Sequence, residues 1–161
     1  MRTLIFVGMT TMPASSKLSK LGGLIAEFVR RESATEKAIF TTSLSQEDQI
    51  LTWAIVQAKL PVDIVTLDTG KLFPETVALH ALTEKILGIE IEKVLPLEQD
   101  VSAFDDECGM DSIYQEVKAR KRCCTIRKVL PLQKVCAGRS LWITGLRSGQ
   151  SENRAGLEML E

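Results

Sequence analysis

Residues 38–67, AIFTTSLSQEDQILTWAIVQAKLPVDIVTL, decide the fold. Ala38-Ile39-Phe40-Thr41-Thr42 is a short β-prone run that ends in polar residues. Ser43 and Ser45 lead into a stretch where Ile50, Leu51, Ala54, Ile55 and Ala58 recur at helical spacing, closed by Pro61. Val62 to Leu67 then reads as a second, buried strand. The pattern continues in both directions. Leu18, Leu21, Leu24, Ile25, Phe28 and Val29 mark an amphipathic helix over about 16–31. Pro74 suits the first turn of a helix running to about Leu87, with Gly88 as its stop. Ile89 to Leu95 is a third strand, followed by two weaker helical pieces. A stronger helix over about 125–137 contains Pro131, which should kink or split it. Ser140 to Thr144 reads as a fourth strand, and Leu157 to Leu160 begins a fifth. Strands alternating with helices in this way predict an α/β fold, a parallel sheet with helices on both faces. No linker or repeat interrupts residues 1–161, which read as one domain.

Bulk properties exclude several function classes. Among 161 residues, 45% are hydrophobic and 25% charged, and the net charge is -1, so nothing global favours nucleic acid or an acidic membrane. No apolar run approaches the roughly 20 residues of a membrane span. The apolar stretch within Met1 to Val7 is too short for a signal peptide and lacks a cleavage site. Four cysteines do not make a disulfide scaffold, which points to a cytoplasmic protein with reduced thiols or a metal site. Charge is segregated: residues 98–111 hold six acids and no base, and residues 118–134 seven bases and no acid. The acidic stretch reads as a solvated face, whereas the basic one surrounds a cysteine pair and would suit a compact anion.

In an open parallel sheet, ligands sit beyond the carboxyl ends of the strands, and three unusual segments fall there. Ser43, Ser45 and Asp48 form a hydroxyl-rich turn into a helix, which suits an anion, although taken alone it is more simply N-capping by Ser45. Leu67 to Thr76 opens with an Asp68-Thr69-Gly70 turn that brings backbone close to a ligand, or is a turn and nothing more. The loop from Gly145 to Arg154 carries Arg147 and Arg154, which can grip phosphate or sulfate oxygens or lie exposed in solvent. Cys123-Cys124 would close a strained ring as a disulfide, and flanking cations Lys121, Arg122, Arg127 and Lys128 favour thiolates that ligate metal. Cys136 lies near an apolar stripe and reads as core; Cys108, among acids, is a poor nucleophile candidate. His80 falls opposite the stripe of Ala78, Leu79, Leu82 and Ile86, which predicts a solvent-facing ring with no ligand or base role.

Four motifs occur in order: Ser-Leu-Ser-Gln-Glu-Asp (43–48), Leu-Asp-Thr-Gly-Lys-Leu-Phe-Pro-Glu-Thr (67–76), Cys-Cys-Thr-Ile-Arg-Lys-Val-Leu-Pro-Leu (123–132) and Gly-Leu-Arg-x-x-Gln-Ser-x-x-Arg (145–154). Together they resemble the adenylyl-sulfate and phosphoadenylyl-sulfate reductase family, relatives of the ATP-pyrophosphatases with a Rossmann-like, adenine nucleotide alpha-hydrolase-like fold. The resemblance implies that Ser43, Ser45 and Asp48 form a modified phosphate loop. It implies that Leu67, Asp68, Thr69 and Gly70 receive the adenosine, and that Gly145 lies near the ribose. Lys128 and Arg154 would then hold the phosphosulfate. After Arg147 the family pattern has a second Arg and an acid, where this chain has Ser148 and Gly149.

A tandem pair such as Cys123-Cys124 supplies, in that family, two of four ligands to a [4Fe–4S] cluster, in the branch that takes substrate without a 3′-phosphate. The other two come from a downstream Cys-x-x-Cys, absent from these 161 residues, so the cluster is expected to be absent or incomplete here. The implied activity reduces adenylyl sulfate to sulfite and AMP through a thiol-sulfonate, with thioredoxin or glutaredoxin as reductant. The nucleophilic cysteine of the family is not among these residues, so the chain reads as C-terminally truncated. Two alternatives stay open: a phosphoadenylyl-sulfate reductase without a cluster, and a non-catalytic adenine-nucleotide or ATP-pyrophosphatase-type module. Missing strands would leave an open sheet edge, which favours homo-oligomers.

Overall fold

The computed structural model describes residues 2–5, 14–32, 37–109 and 111–146. One parallel sheet is built from β1 (Arg2–Ile5), β2 (Ala38–Thr42), β3 (Val62–Leu67), β4 (Glu92–Val94) and β5 (Leu141–Thr144), in the order β1-β5-β2-β3-β4. The helices are α1 (Ala14–Glu32), α2 (Gln46–Gln57), α3 (Pro74–Leu87), α4 (Glu98–Cys108), α5 (Ser112–Gln115), α6 (Val117–Cys124) and α7 (Leu130–Cys136). From β2 the chain moves outward through β3 to β4, then returns to place β5 on the other side of β2. That reversal opens a crevice at the carboxyl ends of β2 and β5.

The period-two alternation of the strands explains the layers. Phe40, Ile64, Leu141 and Ile143 face α1 and α2, where Ile25, Val29, Leu51 and Ile55 close the larger core. Ile39 and Val65 face the other way and pack with Cys136, Leu132 and Trp142. Each such buried Leu or Ile contributes about 1.5–3 kcal/mol, so both faces must stay covered. The expected α/β class is what forms.

Several elements differ from expectation. β1 escaped the sequence reading, since Arg2-Thr3-Leu4-Ile5 is short and shows no alternation that sets it apart. β4 is only Glu92–Val94 rather than Ile89 to Leu95; it pairs with β3 alone, and Glu92 and Lys93 are exposed. The cysteine-bearing helix begins at Val117, and Pro131 does interrupt it. Proline has no N–H for the α ladder, and residues Thr125–Val129 widen into a π turn closed by Leu130 N–H on the Thr125 carbonyl. The suggested strand at Leu157 to Leu160 lies outside the described residues.

His80 is the clear correction. It is buried, its Nε2 lies 3.0 Å from the Ile91 carbonyl, and its Nδ1 lies 3.4 Å from a Glu84 carboxylate oxygen. Thr83 is buried too and accepts a 2.9 Å bond from Gln49. The inner face of α3 is therefore polar but satisfied, which removes the usual penalty on polar burial. Leu79, Leu82 and Ile86 face solvent instead. Apolar periodicity located the helix and gave the wrong inward face.

Cys136 is the expected core residue, and burial pushes its thiol above the ordinary value of 9.0. The folded state thus holds a proton that the unfolded chain releases, so this stability is full below that ordinary value and declines as pH rises beyond it. Denaturant titrations at pH 7 and pH 10 should show the lower midpoint at pH 10, and Cys136→Ala should flatten that difference. Exposed Cys124 should react with a thiol reagent at once, and Cys136 only on unfolding.

Candidate functional site

Where β2, β3 and β5 end, threonines replace the apolar residues of the strand interiors. Thr42, Thr66 and Thr144 are all buried there, and the Thr66 hydroxyl donates to the Thr42 carbonyl at 2.9 Å. Beyond them opens a cleft of about 580 Å³, within the range of small-molecule sites. A somewhat larger opening of about 630 Å³ lies elsewhere, with Asp63, Glu90, Glu92 and Lys59 on its walls. It gathers three carboxylates against one cation and adjoins Val62, at the amino end of β3, where parallel sheets do not bind ligands.

The turn after β2 is tightly wired. Asp48 is buried, and one of its carboxylate oxygens accepts both the N–H and the hydroxyl of Ser43 at 2.6 Å. Ser45 is the N-cap of α2, its hydroxyl accepting a long 3.5 Å bond from the Asp48 N–H. A full capping box would have Asp48 reach back to Ser45; it reaches two residues further, to Ser43. Leu44 between them sits at φ 63, a strained conformation for a residue with a branched side chain, and its N–H bonds the Thr42 hydroxyl. Across the cleft, Gly145 lies so close to Asp48 that a Cβ there would overlap a carboxylate oxygen.

The turn after β3 is likewise locked by its own side chains. Asp68 accepts the Gly70 N–H at 3.0 Å, and the Thr69 hydroxyl accepts the Lys71 N–H at 3.3 Å. Gly70 takes φ 69, which glycine adopts without strain. Leu67 and Thr69 line the cleft, whereas Asp68 faces a small hollow beside His80 and Lys93. Asp68 and Gly70 therefore shape the turn, and Thr69 is the member that meets the cleft.

The acidic stretch, read as a solvated face, proves to be paired with the basic one. Glu107 of α4 takes both prongs of Arg122 at 2.7 and 2.6 Å, and that hydrogen bonding holds its carboxyl below the ordinary carboxylate range. Asp105 takes Arg127 at 3.1 Å. Lys128 lines the cleft, is exposed, and makes no hydrogen bond or ion pair with the other described residues. Cys123 is buried with Phe104 and Ala119, and Cys124 is exposed. No cysteine lines the cleft.

Ser43, Ser45, Asp48, Leu67, Thr69, Lys128 and Gly145 thus come together around one space. Arg147 and Arg154 lie outside the described residues. Lys71 and Phe73, inside the 67–76 motif but given no role of their own, also line the cleft, as do the strand-end threonines, which the sequence reading did not name as site residues. The usable signal was the switch from apolar residues to threonine at the end of each central strand.

Comparison with known proteins gives the family. The family described as phosphoadenosine phosphosulfate reductase domain matches residues 37–161. An adenosine 5'-phosphosulfate reductase of Agrobacterium fabrum is 49% identical over 125 residues, covering 78% of this chain and 48% of that protein. One from Allochromatium vinosum is 41% identical over 126 residues, and one from Burkholderia cepacia 37% over 147 residues, covering 91% of this chain and 58% of that protein. The chain spans about half the length of these relatives. The crystal structure of a phosphoadenylyl-sulfate reductase from Candida auris, a phosphate complex, superposes with a TM-score of 0.60 at 21% identity, over 89% of this chain and 72% of that one. The chain belongs to the phosphoadenosine phosphosulfate reductase family.

Proposed function

We propose that the cleft binds the adenosine 5′-phosphate portion of adenylyl sulfate, and that the chain serves an adenylyl-sulfate reductase in sulfate assimilation. The observation that carries this is the convergence of Lys128 with Ser43, Ser45, Thr69 and Gly145 on one strand-end cleft. The names of the relatives support the substrate. Ser45 and Lys128 offer hydrogen bonds and charge to the phosphosulfate. A carboxylate repels an anion but accepts from hydroxyls, so Asp48, beside Gly145, suits the ribose. Arg147 and Arg154 would add charge from the loop that follows.

In the proposed reaction a cysteine thiolate attacks the sulfur of adenylyl sulfate. The S–O bond to the phosphate breaks, AMP leaves with the electron pair, and an S-sulfocysteine forms. A thiolate of thioredoxin or glutaredoxin then attacks the cysteine sulfur, releasing sulfite and leaving a mixed disulfide. None of the four cysteines here faces the cleft, so the attacking thiolate comes from outside these residues. The contribution of this chain is to hold the nucleotide and orient its sulfate.

A [4Fe–4S] cluster takes four thiolates. Cys123 and Cys124 are consecutive, one buried and one exposed, and the described residues hold no group of three or more Cys, His, Asp or Glu side chains suited to a metal. These residues alone do not fit the cluster; completing it requires two further cysteines. No helix among the described residues is long and apolar enough to cross a membrane, and the free thiols favour a reducing cytoplasm. We read residues 1–161 as one domain, with β1 and β4, the edge strands among the described residues, as places where a second copy would pair.

Titration calorimetry of the 161-residue chain should show AMP and adenylyl sulfate binding at one site. With thioredoxin and its reductant added, no sulfite should form, and protein purified without oxygen should hold far less than four irons per chain. Absence of nucleotide binding would sink the assignment. Catalytic sulfite release would refute the placement of the thiolate.

A further inference from the structure

Arg127 stands at the middle of the π turn, and its side chain is only 9% exposed. One terminal nitrogen donates to the Thr69 carbonyl at 3.0 Å, and the other meets the Asp105 carboxylate at 3.1 Å. Its Nε is buried with no partner among the described residues, so this guanidinium is held in place by its two ends. Gly70 is equally close: a Cβ added there would lie 3.4 Å from the same terminal nitrogen that bonds Thr69. Burying an arginine is costly unless its charge is matched and its donors used. Asp105 supplies the charge and Thr69 accepts the bond.

We propose that Arg127, with Asp105 as its counter-ion, is a positioning residue that fixes the Asp68-Thr69-Gly70 turn against the helical segment carrying Lys128. This rests on the reading of the cleft as a nucleotide site. Neighbouring helical residues point about 100° apart, and somewhat less in a widened turn, so Arg127 turns into the protein beneath the turn after β3 while Lys128 faces the cleft. The turn is wired internally only by Asp68 and Thr69, whose bonds set its shape but not its distance from Lys128. The Arg127 bond to Thr69 joins the two walls of the site. A lysine could not replace it, since one ammonium lacks the planar fork that serves a carbonyl and a carboxylate together.

The test uses Arg127→Lys, Arg127→Ala and Asp105→Asn in the 161-residue chain. In Arg127→Lys, amide exchange at Gly70 and Lys71 should quicken by on the order of tenfold without ligand, with the central strands unchanged. Adenosine and AMP should both bind about tenfold more weakly, because the altered wall is the nucleoside side. Asp105→Asn should show the same pattern, smaller. Millimolar methylguanidinium, but not methylammonium, should restore adenosine binding to Arg127→Ala, which a loss of volume alone would not permit. Unchanged exchange at Gly70 and Lys71 would overturn the proposal, as would loss of AMP binding with adenosine binding intact, which would make Arg127 an anion ligand. If Arg127→Ala does not fold, the lysine and Asp105→Asn variants decide. A native chain that binds neither adenosine nor AMP would refute the nucleotide reading, while the exchange result would still judge the role of Arg127.

Discussion

Gly145→Ala should lower the unfolding free energy by about 1–3 kcal/mol, the usual cost of forcing a methyl into a packed site, and should abolish most nucleotide binding. The added Cβ would overlap an Asp48 carboxylate oxygen and lie 3.2 Å from its carbon. Asp48 cannot retreat cheaply, because its other oxygen is clamped by Ser43 at 2.6 Å twice over. Either the loop after β5 withdraws from α2, or the Ser43 turn opens, and both deform the cleft. Gly23→Ala is the matched control: it lies in α1 with nothing within 4 Å of the new methyl. There the substitution should stabilise, by about 0.5–1 kcal/mol, through helix propensity. Opposite signs from the same chemical change would show that the effect belongs to the contact with Asp48. Equal stabilisation at both positions would mean that the approach of β5 to α2 is not as close as described.

Lys128→Ala should weaken AMP and adenylyl sulfate by about 10- to 100-fold, the worth of one charge-assisted contact in a partly enclosed site. Adenosine should bind the variant as it binds the native chain, because the ammonium addresses only the anion. Stability should change little, since Lys128 has no partner among the described residues to lose. Lys128→Arg should recover part of the affinity through its retained charge. Calorimetry with the three ligands separates the outcomes, and an equal loss for adenosine would show that Lys128 shapes the cleft rather than reading charge.

The βαβ core was legible because its signals are local. Ser45 before α2, Pro74 opening α3 and Gly88 closing it in a left-handed turn at φ 65 act within a few residues of themselves. The motifs at 43–48 and 67–70, with Lys128 and Gly145, marked the cleft for the same reason. What escaped depends on partners distant along the chain. Arg127 read as one more cation of a basic run, and only the fold brings it to Thr69 and Asp105. Arg122 read as support for the thiolates, yet its guanidinium turns to Glu107. His80 was placed outward because periodicity counts apolar residues, whereas a polar face with every group satisfied can also be buried. The faint strand β1 becomes a strand only because β5 lies beside it.

The central claim is that the strand-end cleft takes an adenine nucleotide, and amide chemical shifts of the isotope-labelled chain during an AMP titration test it most directly. The account predicts saturable shifts at Ser43, Ser45, Asp48, Thr69, Lys128 and Gly145, with Lys59, Asp63 and Glu90 unmoved. Shifts confined to the opening beside Asp63 and Glu90, or none up to millimolar AMP, would contradict it.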